Sequence, residues 1–208
     1  MAIKYHLGCG SIYLNGYRNV DFPQSEHTTI TVKADIYSDL LELKYEPCEE
    51  IRSHHVFEHF NFPESIALLI KWTDALCPGG ILRIDVPDIE ILFEEFLNSR
   101  QNMPRSLKLL RLIYGSHEAD WAYHVNGWTE KSLSYVLEKM GMGLEDAKKY
   151  GNRACPFPNC GIDMIFTKMG DVPDKISIGE EILKLYTEPV ETQLLSTFTQ
   201  KLRELCRK

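Results

Sequence analysis

The stretch "HLGCGSIYLNGYRNVD", residues 6–21, decides the fold. An apolar run from Ile3 to Leu7 feeds a glycine pair, Gly8 and Gly10. A second short run then ends in an acid, Asn19-Val20-Asp21. Strand, glycine loop and second strand ending in a carboxylate are the outline of a nucleotide-binding α/β unit. In such a unit a helix joins the two strands. Here only the eight residues Ser11 to Arg18 lie between them, and an Asn15-Gly16 turn pair interrupts those. That length allows about two helical turns at most, and a parallel crossover ordinarily takes about a dozen residues or more. The third glycine of the dinucleotide fingerprint is also missing, its place taken by Tyr13. Without a helix N-terminus aimed at a pyrophosphate, the loop counts against NAD and nucleoside triphosphates.

Working outward, Ile30 to Ile36 ("ITVKADI") alternates and is rich in β-branched residues, which predicts a strand ending at Asp35. "IRSHHVF", Ile51 to Phe57, is a weaker strand pattern. Pro63 to Cys77 reads as a helix, with Pro63 in its first turn and Ile66, Leu69, Ile70 and Leu76 on one face. Cys77-Pro78-Gly79-Gly80 stops it. Ile81 to Val86 ("ILRIDV") is the clearest strand, ended by Pro87-Asp88. Ile89 to Leu97 and Leu107 to Tyr114 read as short helices. Gly115 to Trp128 is a long loop crowded with His117, Glu118, Asp120, Trp121, His124 and Trp128. Thr129 caps a helix running to Met140, with Gly141 closing it. Ile162 to Thr167 is a late strand. The tail from Ile178 is helical, with an apolar stripe of Leu194, Leu195, Phe198, Leu202 and Leu205. Strands alternating with helices argue for a mainly parallel α/β sheet.

S-adenosylmethionine is the adenosyl cofactor that this glycine loop suits. It has no phosphate, so the missing helix harms its binding less than that of a dinucleotide. Close backbone approach needs residues without a Cβ, which Gly8 and Gly10 supply. An acid at the end of the second strand accepts the ribose hydroxyls, and Asp21 is placed for that. Asp35, after the next strand, is placed for the adenine amino group. The bland alternative is that Gly8-Cys9-Gly10 is only a tight turn.

The segments "HLGCG", "GYRNVDF", "KADI", "HHVFEHF", "ALCPGGILRIDVPD" and "GWTEKSLSYVLEKMGM" occur in that order from Lys4 to Met142. Together they resemble the class I S-adenosylmethionine-dependent methyltransferases, and most closely a short, type-11-like branch associated with surface-sugar modification and polysaccharide biosynthesis. "EHF" followed some twenty residues on by "PGGILRIDVPD" is the most specific part. The resemblance implies a Rossmann-like, mainly parallel sheet with a shortened first crossover. It implies that Gly8, Cys9 and Gly10 line the methionine part of the cofactor and that Asp21 holds the ribose. Asp35 and Ile36 would border adenine, and Ser53, His54 and His55 would lie near the sulfonium. The chain departs from the fuller pattern at Ile12, where glycine is common, and in the lost helix. The expected division is a methyltransferase domain over residues 1–170 and a helical extension over 171–208.

Methyl transfer to an alcohol needs a base, because a neutral hydroxyl is a weak nucleophile. His55, His124 and Asp88 are the candidates, and Glu58 and His59 are read as tethers for the helix that follows. No metal ligands are assigned in this reading. Two alternatives stand beside it. "HVFEH", His55 to His59, matches the H-x-x-E-H signature of a zinc-dependent hydrolase. The lost helix also suits a non-catalytic S-adenosylmethionine-binding protein. Cys155 to Cys160 resembles half of a zinc ribbon without a second pair, and reads more simply as a proline-stiffened loop.

The formal net charge of -7 and the lack of a basic stripe argue against nucleic acid as a partner. A small-molecule or carbohydrate-like acceptor is expected instead, methylated at oxygen. No apolar run approaches the ~20 residues of a membrane span. The six cysteines follow no disulfide framework, and no signal-peptide pattern opens the sequence, so a cytoplasmic protein is expected. The stripe on the tail helix must be covered, either by this chain's own sheet or by a second copy in a homo-oligomer.

Overall fold

The computed structural model describes residues 2–27, 29–151 and 157–207. Seven strands form one sheet in the order β3-β2-β1-β4-β5-β7-β6. They are β1 Lys4–Leu7, β2 Arg18–Asp21, β3 Ile36–Tyr37, β4 Cys48–His54, β5 Leu76–Pro87, β6 Met142–Tyr150 and β7 Gly161–Lys168. The first five pair in parallel, and β7 runs antiparallel between β5 and β6. This is the Rossmann-like sheet that the sequence predicts, with an antiparallel edge that it did not reveal.

The helices are α1 Phe62–Ala75, α2 Ile89–Asn98, α3 Met103–Tyr114, α4 Glu130–Lys139, α5 Lys175–Tyr186 and α6 Thr192–Arg207. α1 opens on a capping box: Asn61 accepts from the Glu64 N–H while the Glu64 side chain accepts from the Asn61 N–H, and Pro63 sits in the first turn. Thr129 caps α4 as expected, and Gly141 follows with φ +85°. The tail is two helices rather than one, broken around Pro189.

Two sequence expectations are corrected, and one strand appears where none was expected. Residues 31–34 are irregular, and of "ITVKADI" only its last residue, Ile36, joins the sheet, in the two-residue strand Ile36–Tyr37. Just before β3, the Asp35 N–H donates to the Asn19 carbonyl at 2.8 Å. The weak pattern at Ile51 belongs to a seven-residue strand that starts earlier, at Cys48. Met142–Tyr150, to which the sequence assigns no element, is a strand.

The strand register sorts side chains onto two unlike faces. Tyr5, Ile51, Leu82 and Phe166 share one row, and Leu7, Val20, Ile84 and Met164 another. These residues are all buried, in one core with Ile66, Leu69 and Trp72 of α1, Leu133 and Leu137 of α4, Leu183 of α5 and Leu202 of α6. α1 is buried almost all round because α5 and α6 pack on its far side, with Gly179 close against Leu202 and Ile66. Leu202 and Leu205 are buried, and Leu195 and Phe198 pack against the same core. Four of the five stripe residues thus pack within the chain, while Leu194 is exposed. The opposite face carries Lys4, Glu50, Arg52, Arg83 and Asp163. They pair with one another: Lys4 with Glu50 at 2.9 Å, and Arg83 with Asp163. No helix layer covers this face among the described residues, because the first three crossovers contain no α-helix.

What stands in for the first crossover helix is one side chain, Asn19. It is fully buried. Its amide Nδ2 donates to the Leu14 and Tyr17 carbonyls, at 3.0 and 3.1 Å, and its Oδ1 accepts from the Leu14 N–H at 2.9 Å. His6 Nδ1 lies 3.1 Å from the same oxygen. Backbone groups that pack against the sheet need partners, and here a helix's hydrogen bonds are replaced by those of a buried asparagine.

Candidate functional site

Strand order reverses between β1 and β4, and in open α/β sheets the ligand crevice lies beyond the strand ends at that point. A cavity of about 290 Å³ sits there. The Gly8–Gly10 loop forms its floor, Asp21 and Phe22 one side, His54, His55 and Val56 the other, and Ile30, Phe60 and Trp121 the roof. A second cavity of about 380 Å³ adjoins it, lined by Glu58, His59, Arg111 and His124 among others. Ile30, His55, His59 and Trp121 line both.

Gly8 has φ +63° and Gly10 has φ +54°, the left-handed region that favours glycine. At Gly8 a Cβ would fall 1.8 Å from Val56 Cγ2, so the chain's own packing forbids a side chain there. At Gly10 the nearest atom would be Ile30 Cδ1 at 3.5 Å, ordinary contact. Close ligand approach is therefore a reason for Gly10 more than for Gly8. Cys9 is buried between them, and burial pushes its thiol up to about 12, so it is not a nucleophile at neutral pH.

Asp21 ends β2 and faces the cavity. Its Oδ2 accepts from the Gly10 N–H at 2.6 Å, and its Oδ1 accepts from the Phe22 N–H at 2.7 Å and pairs with His27 Nε2 at 3.0 Å. A carboxylate offers about four acceptor positions, so Oδ2 keeps one for a ligand hydroxyl. His27 Nδ1 is buried beside it with no partner among the described residues. An orphaned polar nitrogen, a free lone pair on a carboxylate and an otherwise apolar wall fit an adenosyl group with its ribose turned toward Asp21.

Not all predicted residues meet here. Gly8, Cys9, Gly10, Asp21, His54 and His55 line the first cavity. Asp35, Ile36 and Ser53 do not. Asp35 accepts from Tyr13 Oη at 2.7 Å and from the Asn19 N–H at 2.8 Å, so it braces the short crossover. Ile36 packs against the core and Ser53 is buried beneath the strand end. Ser38 and Leu40 line the wall where Asp35 and Ile36 were expected. Asp88 lies on neither cavity: its Oδ1 caps α2 by accepting from the Glu90 N–H, and its Oδ2 pairs with Lys149 at 3.0 Å. His124 lines the second cavity only.

His27, Ile30, His59 and Phe60 were missed. His27 sits in an irregular loop with no periodicity to read, Ile30 opens the stretch whose alternation suggests a strand, and His59 reads as a tether. "HVFEH" does not lie on an α-helix. His55 has φ +51°, Phe57–His59 is a 3₁₀ turn, and α1 begins at Phe62. That geometry removes the i, i+4 helical pairing which the hydrolase signature requires.

Around Glu58 the sequence gathers imidazoles. Its side chain is buried, 2% exposed. His55 Nδ1 lies 3.2 Å from Oε1 and His124 Nε2 lies 3.8 Å from it. Burial works to raise the Glu58 carboxyl, but the His55 hydrogen bond and the charges of His59 and His124 outweigh it and take the group down to about 2. Burial also opposes charge on His55, yet Glu58 and Asp85 prevail and hold it above its ordinary value. Burial lowers His124. The other nitrogen of His55 lies 3.0 Å from Tyr150 Oη, which also bonds Asp85. Trp121 closes the roof by donating to the Glu26 carbonyl at 2.6 Å, and Glu118 accepts from Thr29 Oγ1 at 2.7 Å. The aromatic loop therefore lies over both cavities. Residues 155 and 156 of the Cys155 to Cys160 segment lie outside the described residues.

No protein-family profile matches the chain, and no curated protein matches it in sequence. Solved structures do match. A S-adenosylmethionine-dependent methyltransferase of Methanosarcina mazei is 13% identical with a TM-score of 0.51, over 81% of this chain and 92% of that one. The N-methyltransferase NodS of Bradyrhizobium japonicum, in complex with S-adenosyl-L-homocysteine, is 12% identical with a TM-score of 0.50, over 81% and 79%. An O-methyltransferase family 2 protein of Planctomyces limnophilus, in complex with apigenin, is 17% identical with a TM-score of 0.50, over 80% and 51%. At such identities the likeness is one of fold. The chain has the Rossmann-like fold of S-adenosylmethionine-dependent methyltransferases. No described helix is long and apolar enough to cross a membrane.

Proposed function

We propose that the protein is a S-adenosylmethionine-dependent methyltransferase acting on the oxygen of a small or carbohydrate-like acceptor. The observation that carries this reading is the pair of adjoining cavities at the reversal of strand order, one with Asp21 beside the glycine loop and the other lined by histidines. When bound, the cofactor supplies an activated methyl group whose leaving group is already strong, so the protein's task is alignment. Gly10 gives its backbone close approach, and the free Oδ2 lone pair of Asp21 takes a ribose hydroxyl. His54 and His55 edge the opening toward the second cavity.

The acceptor lies in the second cavity, its hydroxyl at the shared boundary of His55, His59 and Trp121. The imidazoles around Glu58 take up its proton. His124, which burial keeps below its ordinary value, is neutral at pH 7 and suited to that. His55 has both ring nitrogens engaged and acts as a positioning residue. Asp88 is left out of the catalytic set because its carboxylate is committed to α2 and Lys149. The stacking surface of Trp121 suits a flat or ring-shaped acceptor; the Planctomyces relative by fold is in complex with apigenin. The chain's fold relatives include both N- and O-methyltransferases; the half-buried, neutral imidazole of His124 favours oxygen, which must lose a proton.

Calorimetry with S-adenosyl-L-homocysteine tests the reading. One site per chain is expected, and Asp21→Asn should weaken it at least tenfold. Absence of heat at high protein concentration, or unchanged affinity in the variant, would overturn it.

A further inference from the structure

We propose that Glu58, His59 and His124 form a site for one divalent transition-metal ion of the zinc or cobalt type, on the wall of the acceptor cavity. Their ligand atoms lie within 4.8 Å of one another, and all three residues line that cavity. Glu58 shows the need for an occupant. Its Oε1 is taken by His55, while Oε2 is buried and has no hydrogen-bond partner among the described residues. A buried carboxylate oxygen without a partner carries a large desolvation penalty, which a cation offsets.

His59 is held as a metal ligand is. His59 Nδ1 lies 3.0 Å from the Tyr123 carbonyl, which accepts its proton and leaves Nε2 as the lone-pair atom. His124 Nε2 faces Glu58, 3.8 Å from its Oε1. Ligating imidazoles ordinarily give their other N–H to a carbonyl or carboxylate, fixing tautomer and ring orientation. The backbone is fixed too: the Glu58 carbonyl accepts from the Val125 and Asn126 N–H groups, at 3.0 and 3.2 Å, which binds the loop carrying His124 to the turn carrying Glu58 and His59.

Two imidazoles and one carboxylate match zinc-type donors, and three protein ligands with an open side match a catalytic rather than a structural centre. Bonds of about 2.0–2.2 Å require the three atoms to draw together, with the His59 ring, on the more open side, moving most. The second histidine–carboxylate group, His54, His55 and Asp85, lacks this need. His54 Nδ1 meets Asp85 at 2.5 Å, and Tyr150 satisfies both Asp85 and His55. The ligand set also differs from the H-x-x-E-H reading: His55 is a partner of Glu58, and His124 takes the place of the upstream histidine. Resting on the proposed methyl transfer, the ion would hold the acceptor hydroxyl and make it acidic enough to release its proton to water, a task that passes from His124 to the ion once the ion takes the Nε2 lone pair.

The test is metal alone on the full-length chain after chelator treatment. Titration with Co²⁺ should give a visible d–d spectrum saturating at one ion per chain, displaced by Zn²⁺. His59→Ala and His124→Ala should each weaken Co²⁺ at least tenfold while retaining the wild-type circular dichroism spectrum. His54→Ala should leave the stoichiometry at one. Asp21→Asn should lose S-adenosyl-L-homocysteine yet keep Co²⁺, so the two proposals fail separately. No saturable spectrum in the wild-type chain would overturn the site, as would saturation that both histidine variants leave unchanged.

Discussion

The two faces of the sheet differ more than those of a parallel sheet usually do. Parallel strands are ordinarily buried on both sides by their crossover helices. Here one face meets α1 and α4, with α5 and α6 stacked behind α1. The other holds half-exposed pairs such as Lys4–Glu50 and Arg83–Asp163. The difference follows from three short crossovers: where no helix covers a strand, the outward residues must tolerate water. Stability resides on one face, and the ends of the same strands carry the site. The fold can therefore lose half its usual cover without losing its crevice.

The largest expected effect is on the covered face. Leu69→Ala, at a fully buried position of α1, should destabilise by about 2–5 kcal/mol, read by urea unfolding. Next comes the residue that replaces a helix. Asn19→Leu keeps the volume near constant but strips partners from the Leu14 and Tyr17 backbone, and should lose about 2–3 kcal/mol. It should also weaken S-adenosyl-L-homocysteine, because the glycine loop is the other end of the same crossover. If Asn19→Leu were neutral, the loop would be standing on something other than this side chain.

The same network should respond to acid. Burial holds His6 below its ordinary value, against the opposing pull of Asn19. A depressed folded pKa means that the native state binds fewer protons than the unfolded chain. The contribution is then complete above the unfolded value of about 6.5 and is lost as pH falls through the folded value. An NMR titration of His6, with melting temperatures measured below pH 6.5, checks both the shift and its sign. The smallest effect belongs to the open face. Arg83→Ala removes a partly exposed ion pair and should change stability by less than about 1 kcal/mol. A loss there as large as that of Leu69→Ala would end the distinction between the faces.

The sequence discloses these features unequally. "ILRIDV" shows Leu82, Ile84 and Val86 alternating with Arg83 and Asp85, so the one-sided cover was legible in a strand that pattern rules would call parallel. The missing helix could be read from chain length alone. The glycine loop and Asp21 were legible because their chemistry is local. Asp35 was not: the rule placing an acid after the third strand cannot know that Tyr13 and Asn19 will claim it. His27 and His59 reach the cavities through loop geometry, which has no period. Met142–Tyr150 escaped because "MGLEDAKKY" has a polar, edge-strand composition and a register shift near Glu145 that obscures alternation.

The ten residues between β1 and β2 also bear on how the chain folds. A parallel pair usually forms late, since its partners are separated by a long crossover whose closure entropy must be overcome first. Closing this one is easier, by about 0.6 kcal/mol for each halving of its length. The first two strands can meet as readily as a hairpin does, which would make the cofactor end of the sheet an early nucleus rather than a final adornment.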